Sequence, residues 1–441
     1  MATSGQILKA KQVVQTVNSN LPCTVYEYLG GGTQGEVYRV KVEGEALALK
    51  WYYPTFATTE QRKTLETLIL KDPPTSKFLW PLELTAAKDV PGFGYLMPLR
   101  EPRYKEIKDL MKRRIEPTFR VLARAGRQLA DSYLQLHAKG LCYRDISWGN
   151  VFFDPYTGDV LICDNDNVSV DMVPVKSVLG TPGFMAPEIV RGEAVPSTQT
   201  DLHSLAVLLF YMLMVSHPLN GKKEASIRCF DLPAMNKIYG KEPVFIFDPQ
   251  DDSNRPVKGI HDNANVFWPL YPQFLQDLFM RAFTKGLHDP NRRVREGEWR
   301  QAMTTLEDWI VFCPVCGREN FYIPGEHRTG GDHLPICWNC RKKVPYPYHI
   351  CLGRSIVMLN HDTRLYPHHI DSQRLYDFSN PVAEVVQHPD KKIWGLKNLS
   401  NEKWVITGTD GKIKDIDPGR SATLSPGVRF NFGGIEGEIQ Y

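Results

Sequence analysis

Apolar and polar positions alternate with a period of two in three stretches between Cys23 and Tyr53, "CTVYEYLG", "GEVYRVKV" and "EALALKWYY", with glycines between them. This pattern predicts the strands of a small antiparallel sheet. "TTEQRKTLETLILK" then carries apolar residues at Leu65, Leu68 and Ile69 among charges, behind the capping residues Thr58 and Thr59, and reads as a short amphipathic helix. Beyond Pro117, "RVLARAGRQLADSYLQLHAKG" predicts a longer helix closed by Gly140. Helical patterns dominate from there to about Phe312. After Cys313 proline, glycine, histidine and aromatic residues take over, and from about Arg354 short apolar runs alternate with turn signals such as "TDGK" and "SPG". The expected order is sheet, helices, a cysteine-rich knot and a second all-β unit.

Composition adds limits to this picture. With 441 residues the chain exceeds what one core usually serves, so several domains are expected. A net charge of +3 does not point to a polyanion partner. The N-terminal stretch has no continuous apolar core of the signal-peptide kind, and "LAVLLFYMLMV" at Leu205 to Val215 is too short to span a bilayer. A soluble, cytoplasmic protein without a membrane segment is the expectation. Four of nine cysteines form two C-x-x-C pairs, which suits metal binding in a reducing compartment.

Candidate chemistry begins at "LGGGTQGEVYRV", where Gly30, Gly32 and Gly35 stand between two strands. Glycines there let backbone N–H groups approach phosphates, although a hairpin needs glycine for steric reasons alone. Lys50 closes the next strand and can reach nucleotide phosphates, with Glu66 on the following helix as its expected ion-pair partner. "YRDISWGN" follows, and then "VLICDNDNVS", an apolar strand that runs into acid and amide residues. Such residues are ordinary in turns. However, a carboxylate to orient a hydroxyl (Asp145), an amide and a carboxylate to hold magnesium (Asn150, Asp164) and a lysine on the phosphates are together what phosphoryl transfer requires. "GTPGFMAPE", "DLHSLAV" and "DPNRR" come next in order.

This series resembles the eukaryotic-type protein kinase fold, matching in order from Gly30 to Arg293. The resemblance implies that Gly30, Gly32, Gly35 and Val37 cover ATP and that Lys50 pairs its phosphates and Glu66. It implies further that Asp145 is the catalytic carboxylate, that Asn150 and Asp164 bind Mg2+ or Mn2+, and that Met97 and Leu99 flank the adenine. Asp201 would brace the catalytic loop and Glu188 would pair with Arg293. "GTPGFMAPE" is similar to the substrate-facing loop of Ser/Thr kinases, with Thr181 against Asp145. Phosphorylation is expected at Ser177, with Ser169 and Thr181 as further candidates, and Arg144 would pair with a phosphate at Ser177. The chain departs from the family where D-F-G reads Asp164, Asn165, Asp166, where Ser147 replaces a lysine, and where Tyr143 replaces a histidine. A pseudokinase scaffold that binds nucleotide without efficient transfer is therefore an alternative reading.

"CPVCG" and "CWNC" give C-x2-C-x20-C-x2-C through Cys313, Cys316, Cys337 and Cys340. Two such pairs complete a closed tetrahedral S4 site, so structural Zn2+ in an arrangement resembling a zinc ribbon is expected. His327 and His333 read as loop residues. "RKK" at Arg341 to Lys343 lacks an aromatic stacking stripe and gives little support to nucleic-acid binding. The tail "ATLSPGVRFNFGGIEGEI" resembles the end of a forkhead-associated (FHA) β-sandwich, with Trp394 and Trp404 in its core. The whole order resembles bacterial kinases of tellurite-resistance-type phosphorylation systems, and "FIFDPQDDSNRPVKG" fits that likeness. It implies protein substrates and, as partners, a von Willebrand A-domain protein and a metal-dependent Ser/Thr phosphatase.

The expected fold class is thus α+β and multidomain. It comprises a two-lobed protein kinase fold over 1–310 (N-lobe about 1–98, C-lobe about 99–310), a zinc ribbon over 311–348 and an FHA-like all-β sandwich over 349–441.

Overall fold

The structure is a computed structural model that describes residues 6–173, 180–323, 334–389 and 392–441. Ser177, His327 and His333 lie outside the described residues.

The three alternating stretches form strands β2 (Pro22–Gly31), β3 (Gly35–Val42) and β4 (Glu45–Tyr52), as their periodicity requires. They are joined by β1 (Val13–Thr16), β5 (Glu83–Ala86) and β6 (Gly94–Pro98) in a closed antiparallel barrel of order β1-β2-β3-β4-β6-β5. Only a small sheet was expected; closure comes from β1, which pairs with both β2 and β5. Alternation along β4 divides its side chains between two cores. Leu49 and Trp51 join Val14, Val25, Tyr38 and Val40 in one, while Ala48 and Tyr52 join Leu65, Leu84, Tyr95 and Met97 in the other.

Helix α1 (Thr59–Ile69) is capped by Thr58, whose side chain accepts from the Gln61 N–H at 3.1 Å. Leu65 and Leu68 are buried, and Gln61, one turn before Leu65, shares their face. The region expected as the C-lobe centres on helices Phe119–Ala138 and Thr198–Met214, the second buried along nearly its whole length. Short antiparallel strand pairs interrupt the helices. Val151–Phe153 pairs with Val160–Ile162, and Leu141–Cys142 with Ser169–Val170. Among the described residues no helix is long and apolar enough to cross a membrane.

The chain divides into two compact units, and the division does not follow the expected boundary at 310. The first comprises residues 1–117, 124–267 and 277–300, and the second 118–123, 268–276 and 301–441. Aromatic packing explains why the short segments belong to the second unit. Phe119 lies 5.0 Å from Phe321 and 5.5 Å from Tyr271, centroid to centroid, and Trp338 completes the group at 6.0 Å from Phe119. In the same unit, antiparallel sheets of six and four strands bury one core. Ile350, Trp404, Phe430 and Ile439 come from the larger sheet, and Leu365, Val385, Leu396 and Ala422 from the smaller. Trp404 is fully buried and Trp394 packs against this core, the place expected for both. Asp410 and Gly411 turn the hairpin between Trp404–Thr407 and Ile413–Ile416, with Gly411 at φ 75°.

The glycine-rich hairpin makes a testable division. A Cβ at Gly35 would sit 2.2 Å from the Trp51 carbonyl oxygen, whereas a Cβ at Gly32 would meet nothing within 4 Å. Gly35→Ala is expected to lower stability by about 1–3 kcal/mol through strand separation, and Gly32→Ala to stay within about 0.5 kcal/mol of the parent. Urea midpoints of the two variants check this.

Candidate active site

Strand register sets the first part of the site. Lys50 stands opposite Val37 on β3 and Tyr95 on β6, on the β4 face that also carries Ala48 and Tyr52. Val37, Ala48, Met97 and Leu99 lie together in one apolar cluster along this face. Ala48 was not singled out from the sequence, although the period of two puts it on the Lys50 side of the strand. The Lys50 Nζ is nearly buried and lies 2.8 Å from Asp166 Oδ2, 3.1 Å from Asp166 Oδ1 and 3.4 Å from Asp164 Oδ1.

The expected Lys50–Glu66 pair is absent from this arrangement. Glu66 is exposed and bonds Arg62 at 3.0 Å. The reason is helical phase: Leu65 and Leu68 face inward, so Glu66, 100° around the helix from Leu65, faces out. Glu60 is exposed as well. The carboxylate against Lys50 comes instead from Asp166, which the sequence marked only as a departure from D-F-G.

The second part of the site is a pair of loops joined by a hairpin. The Cys163 N–H donates to the Asn150 carbonyl at 2.9 Å, which sets Asn150 and Asp164 side by side at the same end of Val151–Phe153 and Val160–Ile162. Asp164 takes the left-handed conformation, φ 49° and ψ 43°, and opens a tight 3-10 turn over Asn165–Asn167. Asn150 Nδ2 donates to the Asp145 carbonyl at 2.9 Å and to Asp145 Oδ2 at 3.0 Å, and Thr181 Oγ1 donates to Asp145 Oδ1 at 2.6 Å. The contact expected between Thr181 and Asp145 is thus formed. Ser169 is half-buried, with its Oγ 3.5 Å from Cys142 Sγ.

Asp201 holds the Asp145 loop from beneath, accepting from the backbone N–H of Tyr143 at 2.5 Å and of Arg144 at 2.9 Å. The Tyr143 hydroxyl donates to the Cys163 carbonyl, and so joins the two loops where the family has a histidine. Arg144 Nε donates to the Asn167 carbonyl, and its Nη1 is buried without a hydrogen-bond partner among the described residues. Arg293 makes a two-pronged pair with Glu188, 2.8 Å on each side, as expected from the motif order.

The charges are balanced by contact. Burial opposes the Lys50 ammonium, but the Asp164 and Asp166 carboxylates outweigh it and raise its pKa. Burial likewise opposes the Asp166 carboxylate, and Lys50 with the hydroxyls of Tyr52 and Tyr95 holds its pKa below the usual range. Lys50 pulls the Asp164 carboxyl down, yet burial and neighbouring Asp166 prevail, so that its pKa is raised. No hydrogen bond is made to Asp164 Oδ2 or Asn150 Oδ1 among the described residues. One carboxylate and one amide oxygen left over at adjacent positions fit a hard, oxygen-seeking cation such as Mg2+.

In the second unit Cys313, Cys316, Cys337 and Cys340 come together with all four sulfurs within 4.8 Å of one another. Cys313 and Cys340 are 3.5 Å apart and Cys316 and Cys337 3.6 Å. That spacing suits four thiolates around one tetrahedral ion. His368 and His369 are buried; His369 Nδ1 accepts from the Tyr366 N–H, and Nε2 faces Asp308 at 3.2 Å.

The protein kinase domain model matches residues 23–268, more than half of the chain, and the chain belongs to that family. The family brings with it a two-lobed fold and the use of ATP and Mg2+. A putative protein kinase C delta type homolog of Drosophila melanogaster is 37% identical over 192 residues, covering 36% of this chain and 28% of the relative. Serine/threonine-protein kinase SRK2J of Arabidopsis thaliana is 32% identical over 198 residues, covering 44% and 56%. Serine/threonine-protein kinase PknD of Chlamydia abortus is 32% identical over 114 residues, covering 21% and 12%. The chain spans less than two thirds of the length of each of these relatives.

A buried charge cluster beneath the site makes stability depend on pH. His137 lies between Asp201, 3.1 Å from its Nε2, and Glu296 on its Nδ1. Burial works against its charge, but bonds to Asp201 and Glu296 prevail and raise its pKa from 6.5 to about 9. The unfolded chain loses this proton at lower pH than the folded one, so the contribution is full below pH 6.5 and disappears as pH rises through 9. We expect about 1–3 kcal/mol to be lost between pH 6.5 and 9.5. Urea midpoints should fall over that interval in the parent and change much less in His137→Gln.

Proposed function

We propose that the chain is a serine/threonine protein kinase that transfers the γ-phosphate of ATP to protein hydroxyls. The observation that carries this reading is the shared end of the two loops. Asp145 is oriented there by Asn150 and Thr181, and Asp164 lies within 3.4 Å of Lys50. The apolar group of Val37, Ala48, Met97 and Leu99 suits an adenine ring. Gly32 adds support, because a Cβ there would meet nothing in the chain, so steric need within the hairpin does not account for it, whereas Gly30, at φ 158°, is favoured by its backbone conformation alone.

In this mechanism Lys50 and the glycine-loop N–H groups hold the phosphates. Asn150 and Asp164 are the residues to hold Mg2+, which neutralises charge on the phosphates when bound. Asp145 orients the acceptor hydroxyl as its oxygen forms a bond to the γ-phosphorus. The bond from that phosphorus to the β–γ bridging oxygen breaks, ADP leaves, and the hydroxyl proton passes to the Asp145 carboxylate. Thr181 at Asp145 favours Ser or Thr as acceptor, with Ser177, Ser169 and Thr181 as sites of autophosphorylation. Lys50, Asp145, Asn150 and Asp164 are all present despite Ser147 and Asn165, which supports an active enzyme.

The second unit carries a structural Zn2+ site of the zinc-ribbon kind at Cys313, Cys316, Cys337 and Cys340, followed by an FHA-like sandwich that docks partners. A von Willebrand A-domain protein and a metal-dependent Ser/Thr phosphatase, in a tellurite-resistance-type system in the cytoplasm, are the partners this order suggests.

Two experiments test the proposal. Labelled phosphate from ATP and Mg2+ should enter the purified chain or casein, and Asp145→Asn and Asp164→Ala should each reduce the rate by about 100-fold or more; no incorporation by the parent chain would overturn it. Elemental analysis should find one zinc per chain. Removal by a strong chelator, or Cys313→Ser with Cys337→Ser, should lower the melting temperature of the second unit, and full-length protein purified without zinc and melting unchanged would refute the ribbon.

A further inference from the structure

We propose that Asp166 is the positioning residue for Lys50, in the role the family gives to a glutamate of the helix after that lysine. The phosphate-binding cation is then set by the loop that carries Asp164 and not by α1. This inference rests on the reading of Lys50 as the nucleotide-binding lysine.

Every polar group around Asp166 serves that pairing. Its Oδ2 receives Lys50 Nζ at 2.8 Å and the Tyr52 hydroxyl, and its Oδ1 receives Lys50 at 3.1 Å and the Tyr95 hydroxyl at 3.1 Å. The side chain has no exposed surface. Four contacts from three donor groups on two oxygens fix the carboxylate in plane and in rotation. Tyr52 and Tyr95 are neighbours of Lys50 on the same barrel face, so β4 and β6 supply lysine and hydroxyls as one rigid set.

Helix α1 approaches the same group but brings no charge. The inward residue on its first turn is Gln61, whose Nε2 donates to the Tyr52 hydroxyl at 3.1 Å and to the Asp166 carbonyl at 3.3 Å. Glu66 stands outside the cluster, exposed and paired with Arg62. A buried ammonium needs an anion, and the anions here are Asp166 and, at the exposed edge, Asp164.

The loop backbone explains how a residue two places after Asp164 can serve. The left-handed Asp164 and the 3-10 turn after it swing the chain back toward the barrel, and Asn165 Nδ2 anchors the turn to the Ile162 carbonyl at 3.0 Å. The departure from D-F-G is thus a relocation of the lysine's partner. Both the cation and the metal carboxylate hang on one turn, and outward movement of α1 would take away an amide contact and leave the ion pair whole.

The test compares Asp166→Asn and Glu66→Gln in the full chain. One readout is the KM for ATP and the kcat with casein; the other is the rate at which acetic anhydride acylates Lys50, followed by mass spectrometry with and without ATP and Mg2+. Asp166→Asn is expected to lower kcat/KM for ATP at least tenfold, chiefly through KM, and to speed acylation of Lys50 severalfold. Glu66→Gln is expected to stay within twofold on both. A tenfold loss in Glu66→Gln, or parent-like kinetics and acylation in Asp166→Asn, would overturn the proposal. If Asp166→Asn does not fold by circular dichroism, Tyr52→Phe and Tyr95→Phe, which remove hydroxyls and keep the rings, should raise KM for ATP at least threefold, and parent-like KM in both would overturn it. A parent chain that binds nucleotide but transfers nothing would refute the kinase reading alone, and the acylation rates would still decide this one.

Discussion

A lysine ammonium buried between two strands and a loop is the constraint on which the first unit depends. Taking one charge out of water costs several kcal/mol unless an opposite charge and further hydrogen bonds replace the solvent. Lys50 meets that condition only because β3, β4 and β6 hold their register, because Tyr52 and Tyr95 present hydroxyls on its face, and because the loop after Ile162 turns back into the barrel. A shift of one residue in β4 would carry Lys50 into the apolar interior with Leu49 and Trp51 and leave Asp166 buried without a cation.

A second layer of buried polar groups does the same for the loop of Asp145. Asp201 accepts two of its backbone N–H groups and also touches His137, which reaches on to Glu296, so one carboxylate links three elements. Arg293 with Glu188 ties two more segments far apart in sequence, and also donates to the Gln199 carbonyl at 2.8 Å. These pairs hold backbone, and the catalytic side chains inherit their positions from it.

Much of this could be read from residues alone, and the exceptions have physical reasons. Period-two runs marked β2, β3 and β4 because one side chain in two is buried, and Thr58 marked the start of α1 because unpaired N–H groups need a cap. Barrel closure was not legible: β1 has four residues, and its partner β5 lies about 70 positions away in "ELTA". Glu66 was chosen by residue type and distance along the chain, whereas helical phase decides which way a side chain points, and it favoured Gln61. Asp166 was visible only as a departure from a motif, since its role requires a left-handed residue at 164 that sequence does not announce. In the second unit the strand at Trp394–Asn398 escaped notice because glycine and polar residues break its alternation.

Closure of the barrel also decides how other proteins can take hold of each unit. In a ring of six strands each strand has a neighbour on both sides, which leaves a partner little edge for adding a strand of its own, although β1 covers only Pro22–Thr24 of β2. The two sheets of the second unit are open. Ser355–Met358, Ile413–Ile416, Arg364–Leu365 and Ser421–Thr423 each pair on one side only among the described residues. In the first unit the small sheet outside the barrel is open as well, at the two-residue strand Lys105–Glu106, so the four-residue edges of the C-terminal sandwich offer the longer templates for strand-by-strand recognition.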